Sequence, residues 1–157
     1  MHIETERKFL VRNEDYKALA VNRLIMAQGY LASDGGRTVR VRVSGDEGYL
    51  TVKGPSTDGI SRSEWEYAIP AQDAHEMMKL CDGIVEKTRW IVPAGGGRVF
   101  EVDEFHGDND GLVEAEIELG SPDEEFARPD WLGMEVTGDR RYYNSSLARL
   151  PFTKWAE

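Results

Sequence analysis

Residues 38–44 read Thr-Val-Arg-Val-Arg-Val-Ser, and this two-residue alternation constrains the fold more than any other feature of the chain. Successive side chains of a β-strand point to opposite faces. Arg40 and Arg42 therefore share one face, and Val39, Val41 and Val43 share the other. The sorting recurs along the chain. Lys53 opposes Leu50 and Val52, and Arg62, Glu64 and Glu66 oppose Trp65, Tyr67 and Ile69. Glu114, Glu116 and Glu118 oppose Val113, Ala115, Ile117 and Leu119. Lys87 and Arg89 pair on one segment, and Glu101 and Asp103 on another. Near the N-terminus, Glu4, Glu6 and Lys8 form Glu-x-Glu-x-Lys, again one-sided if the segment is a strand. Arg7, Trp90 and Glu104 break strict alternation.

A sheet with one wet face and one core face accounts for alternation alone. It does not account for the signs. Three glutamates line one strand face and two arginines line another. Like charges crowded on a sheet face cost a few tenths of a kcal/mol per close pair, on the order of the cross-strand pair energies. A face built only for solubility mixes its signs. Segregated acids and bases are two halves of one site, one for cations and one for anions. Closing the sheet turns the charged face into a lumen and leaves the apolar face outside, for helices to cover.

Turn residues divide the chain into strands near 2–11, 23–32, 37–44, 47–53, 61–69, 84–92, 97–105 and 111–119, with a short one near 133–137. Helices are expected near 13–21, 71–81 and 141–149, and a shorter one near 123–128, with Asn13 and Asn144 as caps. Ala74, Met77, Met78 and Leu80 form the packing face of the second. The expected fold is mainly β (α+β): a closed eight-stranded antiparallel barrel in a single domain, residues 1–157, with a charged lumen and a few covering helices.

Twenty-nine acidic against 19 basic residues give a net charge of −10, which argues against broad nucleic-acid binding. A small anion can still bind a local basic cluster. No apolar run reaches the roughly 18 residues of a membrane helix, so no membrane partner is expected. The N-terminus runs straight into charged sequence, so no secretory leader is expected. The lone Cys81 fits a reducing compartment, and a cytoplasmic location follows.

Several segments, in order and spacing, resemble CYTH-domain proteins of the triphosphate tunnel metalloenzyme superfamily. They are Ile3 to Leu10, Gln28-Gly29-Tyr30-Leu31, Thr38 to Arg42, Leu50 to Gly54, Arg62 to Glu66, Lys87-Thr88-Arg89, Glu101 to Phe105, Glu114 to Glu118 and Glu135 to Asp139. The resemblance spans nearly the whole chain. It implies an eight-stranded tunnel that acts on triphosphates with Mg2+ or Mn2+, and it is strongest to short bacterial members for which inorganic triphosphate is a common substrate. The implied activity is hydrolysis of inorganic triphosphate to phosphate and pyrophosphate. Alternatives are a nucleoside or thiamine triphosphatase, a class IV adenylate cyclase, or a non-enzymatic polyphosphate binder. Only His2-Ile3 precedes the Glu-x-Glu-x-Lys here, where cyclase members often carry His-Phe.

Within that frame, Lys8, Arg40, Arg42, Lys53, Arg62 and Arg89 are the candidate substrate ligands. Arginine grips phosphate oxygens bidentately and lysine acts as a point charge. Glu4, Glu6, Glu116 and Glu118 are the first candidates for metal ligands, and Glu64, Glu66, Asp103 and Glu114 the second. The resemblance suggests Lys87 and Tyr30 as a pair that activates water, and Lys87 as one more phosphate ligand is the alternative. His2, His75 and His106 are expected to be incidental, and Arg141 to be a surface residue. Monomer and homodimer are both compatible with the pattern.

Overall fold

The computed structural model describes residues 1–155. Nine strands form one antiparallel sheet: β1 (His2–Val11), β2 (Asn22–Asp34), β3 (Arg37–Ser44), β4 (Glu47–Lys53), β5 (Ser61–Ile69), β6 (Ile84–Gly95), β7 (Arg98–Phe105), β8 (Val113–Glu118) and β9 (Leu132–Glu135). The order is β5-β4-β3-β2-β6-β7-β8-β1, and a β1–β5 pairing closes the first eight into a barrel. β1 divides one of its edges between two partners. His2–Thr5 pairs with Ser61–Glu64 of β5, while Phe9 and Val11 pair with Glu135 and Leu132 of β9. The other edge pairs with β8 from Glu6 to Leu10.

Tight hairpins make the barrel possible. Asp34 faces Arg37 across a two-residue loop, Gly35-Gly36, with φ of 59° and 81°. Both angles are positive, as a type I′ turn requires, and only residues without a Cβ adopt them at no cost. β2 carries a bulge between Tyr30 and Ala32, which ends the inward alternation of Gln28 and Tyr30 at that point.

The barrel is built inside out, with charge in the lumen and the apolar core on its outer surface. Phe9, Phe100, Val102, Ala115 and Ile117 pack outward against Tyr16 of α1 (Tyr16–Leu19) and against Trp131. Val85, Phe105 and Leu112 pack against Tyr142 and against Leu147 of α3 (Asn144–Arg149). Val41 and Val43 pack against Ala74 of α2 (Ala71–Met78). Among the described residues no helix is long and apolar enough to cross a membrane.

Four expectations need correction. Residues 123–128 form no helix. Glu124 is spent on the Gly120 amide and on Arg98, and Phe126 is drawn onto Phe9 and Phe100 at ring distances of 5.8 and 6.1 Å. Neither asparagine caps its helix: Asn13 Oδ1 accepts from the Asp15 amide, and Asn144 turns toward the lumen. Leu80 is 76% exposed beyond the end of α2, whereas Met77 and Met78 do pack. The outer cover is also incomplete, since Tyr67 is 59% exposed and Ile3, Ile25 and Trp65 also reach the surface.

Candidate active site

Two adjoining cavities run through the barrel and share Glu4, Glu6, Arg40, Arg42, Lys53, Arg89 and Glu116. The first continues past Lys8, Tyr30, Arg62 and Lys87 to the segment Tyr143–Ser145. The second opens past Tyr49, Glu64, Glu66, Glu101 and Glu118. The expected substrate ligands, both members of the Tyr30–Lys87 pair, and Glu4, Glu6 and Glu116 thus line one continuous space. Glu64 and Glu118 line only its acidic end. Asp103 and Glu114, each buried, line neither cavity.

β3 supplies the two arginines because its alternation aims Arg40 and Arg42 inward. They are 9% and 8% exposed. Arg40 gives one hydrogen bond to Thr51 Oγ1, at 3.2 Å, and its buried Nε has no acceptor. Arg42 Nε donates to Gln28 Oε1 at 2.8 Å. Among the described residues neither guanidinium has a carboxylate partner. Burial, with Arg40 and Arg89 nearby, pushes Arg42 down to about 9. Two buried cations without counter-ions are costly unless a ligand brings negative charge.

The other cations are compensated from within. Lys53 Nζ lies 2.6 Å from Glu4 and 3.5 Å from Glu64. Lys8 Nζ lies 3.3 Å from Glu116 and 3.5 Å from Glu114, and donates to the Tyr142 carbonyl at 2.9 Å. Burial works against the Lys8 ammonium, but Glu114 and Glu116 outweigh it and hold its pKa above the usual range. Arg89 grips Asp103 with both Nε and Nη2, at 2.8 and 2.9 Å, and reaches Glu101 at 2.9 Å. Arg62 is spent on carbonyls, at 2.9 Å from Gly54 and 2.6 Å from Gly36, and so ties two turns together at the rim.

Lys87 is 1% exposed. Its Nζ donates to Asp103 Oδ2 and to Asn144 Oδ1, each at 2.8 Å. Burial pushes it down to about 7; Asp103 resists, while Arg89 and Arg42 add to the fall. Asp103 itself is held at about 2: burial works to raise it, and Arg89 and Lys87 outweigh that. Both its oxygens are occupied, which leaves Asp103 as a counter-ion behind the wall and unsuited to a metal.

Among the described residues no three acidic, histidine or cysteine side chains form a ready-made metal cage. The carboxylates meet in pairs instead, Glu4 with Glu6 and Glu6 with Glu116. Burial, with Glu116 and Glu4 close by, pushes Glu6 well above the carboxylate range. Burial works to raise Glu4 and Glu116 as well, but Lys53 and hydrogen bonds from neighbouring side chains together outweigh it at Glu4, Lys8, Arg89 and Lys87 together outweigh it at Glu116, and both lie below that range. Three carboxylates crowded together in a buried wall mark a place for positive charge. An all-oxygen set with few protein ligands fits Mg2+ or Mn2+, which take their remaining ligands from water and phosphate. Zinc favours nitrogen and sulfur.

Three residues escaped the charge pattern. Gln28 and Asn144 are uncharged, yet they link Arg42, Tyr30 and Lys87. The signal for Gln28 was its shared parity with Tyr30. His2 continues the inward parity of Glu4 and Glu6, and its Nε2 lies 2.6 Å from Glu118 Oε1, so it belongs to the acidic end.

The CYTH domain model matches residues 2–146. The chain belongs to the CYTH family. An inorganic triphosphatase of Acetivibrio thermocellus is 49% identical to this CYTH protein over 98% of both chains. An inorganic triphosphatase of Nitrosomonas europaea is 36% identical over 92% of this chain and 96% of its own. A solved structure of an inorganic triphosphatase superposes with a TM-score of 0.66 at 34% identity, covering 92% of this chain and 97% of that one.

Proposed function

We propose that this CYTH protein hydrolyses inorganic triphosphate to phosphate and pyrophosphate with Mg2+ or Mn2+. One observation carries the proposal above the others: Arg40 and Arg42 are buried without counter-ions in the wall of the shared cavity. A polyanion supplies the missing charge. Similarity to inorganic triphosphatases over almost the full length supports the same substrate.

In this reading Arg40, Arg42, Lys53, Arg89 and Lys8 bind the phosphate oxygens, each charge-assisted bond contributing about 1.5–3 kcal/mol. Glu4, Glu6 and Glu116 hold the cation, with Glu64 and Glu118 toward the acidic opening. A cation held by these carboxylates would supply positive charge to offset that of the phosphates.

Lys87 is the base. A neutral amine has two N–H groups and one lone pair. Asp103 Oδ2 and Asn144 Oδ1 accept two hydrogens, so loss of the third proton leaves a lone pair that neither neighbour claims. At about 7 that proton is lost in the neutral range. The lone pair takes a proton from water while the water oxygen bonds to the terminal phosphorus. The bond from phosphorus to the bridging oxygen breaks, and pyrophosphate leaves with the electron pair. Tyr30, on the same cavity, orients the water.

The test is phosphate release from triphosphate, pyrophosphate, ATP and thiamine triphosphate, each with Mg2+ and with Mn2+. Triphosphate is expected to turn over fastest. No release from triphosphate with either metal overturns the proposal, and faster release from ATP or thiamine triphosphate reassigns the substrate.

A further inference from the structure

We propose that Gln28 is a positioning residue for hydrolysis: its buried amide sets the direction of the Tyr30 hydrogen bond and links Arg42 to Lys87 through Asn144. The inference rests on the role of Tyr30 and Lys87 given above.

Gln28 is 0% exposed. Arg42 Nε lies 2.8 Å from one end of its amide. Arginine only donates, so that end must be the oxygen. The amide nitrogen must then face the opposite way, where its two hydrogens meet Tyr30 Oη at 3.0 Å and Asn144 Oδ1 at 3.3 Å. The Tyr30 oxygen therefore accepts from Gln28. Its own hydrogen has to point elsewhere, and Tyr30 lines the reaction cavity. Asn144 Oδ1 receives Lys87 from the other side at 2.8 Å. A fixed charge, Arg42, thus determines the polarity of every hydrogen bond up to the base.

The backbone holds this amide in place. Between Gln28 and Tyr30, a Cβ at Gly29 would stand 2.7 Å from Cys81 Sγ and 2.8 Å from its Cβ. Only glycine lets β2 lie this close beneath Cys81. The bulge after Tyr30 ends the inward alternation there, so Gln28 and Tyr30 are the last two inward residues before the register changes.

A purely structural Gln28 would tolerate an isosteric side chain. Gln28→Glu keeps the shape and an acceptor for Arg42, and as a carboxylate it loses the donor to Tyr30. Gln28→Met keeps volume and loses both. Kinetics on inorganic triphosphate with saturating Mg2+, together with Tyr30→Phe and the double variant Gln28→Met/Tyr30→Phe, separate the possibilities. Both Gln28 variants are expected to lose about tenfold or more in kcat, less than the roughly 10²–10⁴-fold of a whole general acid–base contact because Gln28 acts only through Tyr30 and Asn144, and a larger factor in kcat than in KM. The double variant is expected to match Tyr30→Phe within about twofold, since groups that act as a unit are not additive. Full kcat in Gln28→Glu, or losses that multiply in the double variant, overturns the role of Gln28. Wild-type kcat in Tyr30→Phe instead removes Tyr30 from the reaction, and the inference falls with it. Gln28→Glu keeps the test valid if Gln28→Met fails to fold.

Discussion

Arg42→Met is expected to make the ligand-free protein more stable while it destroys triphosphate binding. Arg42 is 8% exposed, has no carboxylate partner among the described residues, and lies against Arg40 and Arg89. Its fall from 12.5 to about 9 sets a ceiling of about 5 kcal/mol on the cost of its charge, at about 1.36 kcal/mol per pH unit. The group is still charged at pH 7, so the cost is fully present there. Methionine removes it and keeps most of the length. Against this, Gln28 Oε1 loses its donor, which costs about 1–3 kcal/mol. A net gain of about 2 kcal/mol remains, within the 1–4 kcal/mol seen when buried charges are replaced by apolar groups. For a chain of this size it raises Tm by about 4–8 °C. Thermal unfolding with and without inorganic triphosphate reads both halves. Wild type is expected to gain Tm on adding triphosphate, and the variant to start higher and gain little. An apo Tm for Arg42→Met more than about 3 °C below wild type, near 1 kcal/mol, refutes the claim that this arginine waits for a counter-ion.

Asp103→Asn leaves Arg89 and Lys87 buried around a neutral amide, and is expected to cost about 3–5 kcal/mol in chemical denaturation, with part recovered on adding triphosphate. For Lys87→Arg, a kcat collapse of about a hundredfold with triphosphate affinity retained is expected, because guanidinium holds its proton; retained turnover would leave Lys87 a phosphate ligand only. The wild-type rate should rise with pH through about 7, where burial has placed the Lys87 ammonium, and level off above it; a flat profile from pH 6 to 8 counts against the base. Glu6→Gln should raise the apparent Mg2+ constant at least about tenfold, which is about 1.4 kcal/mol of lost binding, and an unchanged Mg2+ titration would take Glu6 out of the cation site.

The barrel and its charged lumen were legible because a strand turns composition into geometry. Once Arg40 and Arg42 share a face, sign segregation follows from the residues alone. What the alternation could not reveal was the division of labour among like charges. Arg62, Arg89 and Arg42 look alike in sequence. The fold spends Arg62 on the carbonyls of Gly54 and Gly36, braces Arg89 against Asp103 where it still lines the cavity, and leaves Arg42 without a carboxylate. Asp103 looked like a ligand for the same reason, and only cross-strand register with Arg89 shows it to be taken. Asn144 read as a helix cap because its local context allows one. Its use by Lys87 depends on bringing together residues 57 positions apart. Asp123 to Glu125 read as a helix start, and Phe126, drawn to Phe9 and Phe100, decided otherwise.

Closure of the barrel has a mechanical side. The joint between β1 and β5 runs only from His2–Thr5 to Ser61–Glu64, whereas β2 and β6 are laced together from Asn22–Gly29 to Ile84–Ile91. Short ladders open first, and amide exchange reports such openings. Glu4 and Lys53 meet beside this joint, and Glu64 lies on its far lip. A cation and a polyanion lodged there would rivet the hoop at its shortest overlap, so amides of residues 2–5 and 61–64 should slow most in exchange when Mg2+ and triphosphate are present. The N-terminal strand is then a clasp, fastened by what the tunnel holds.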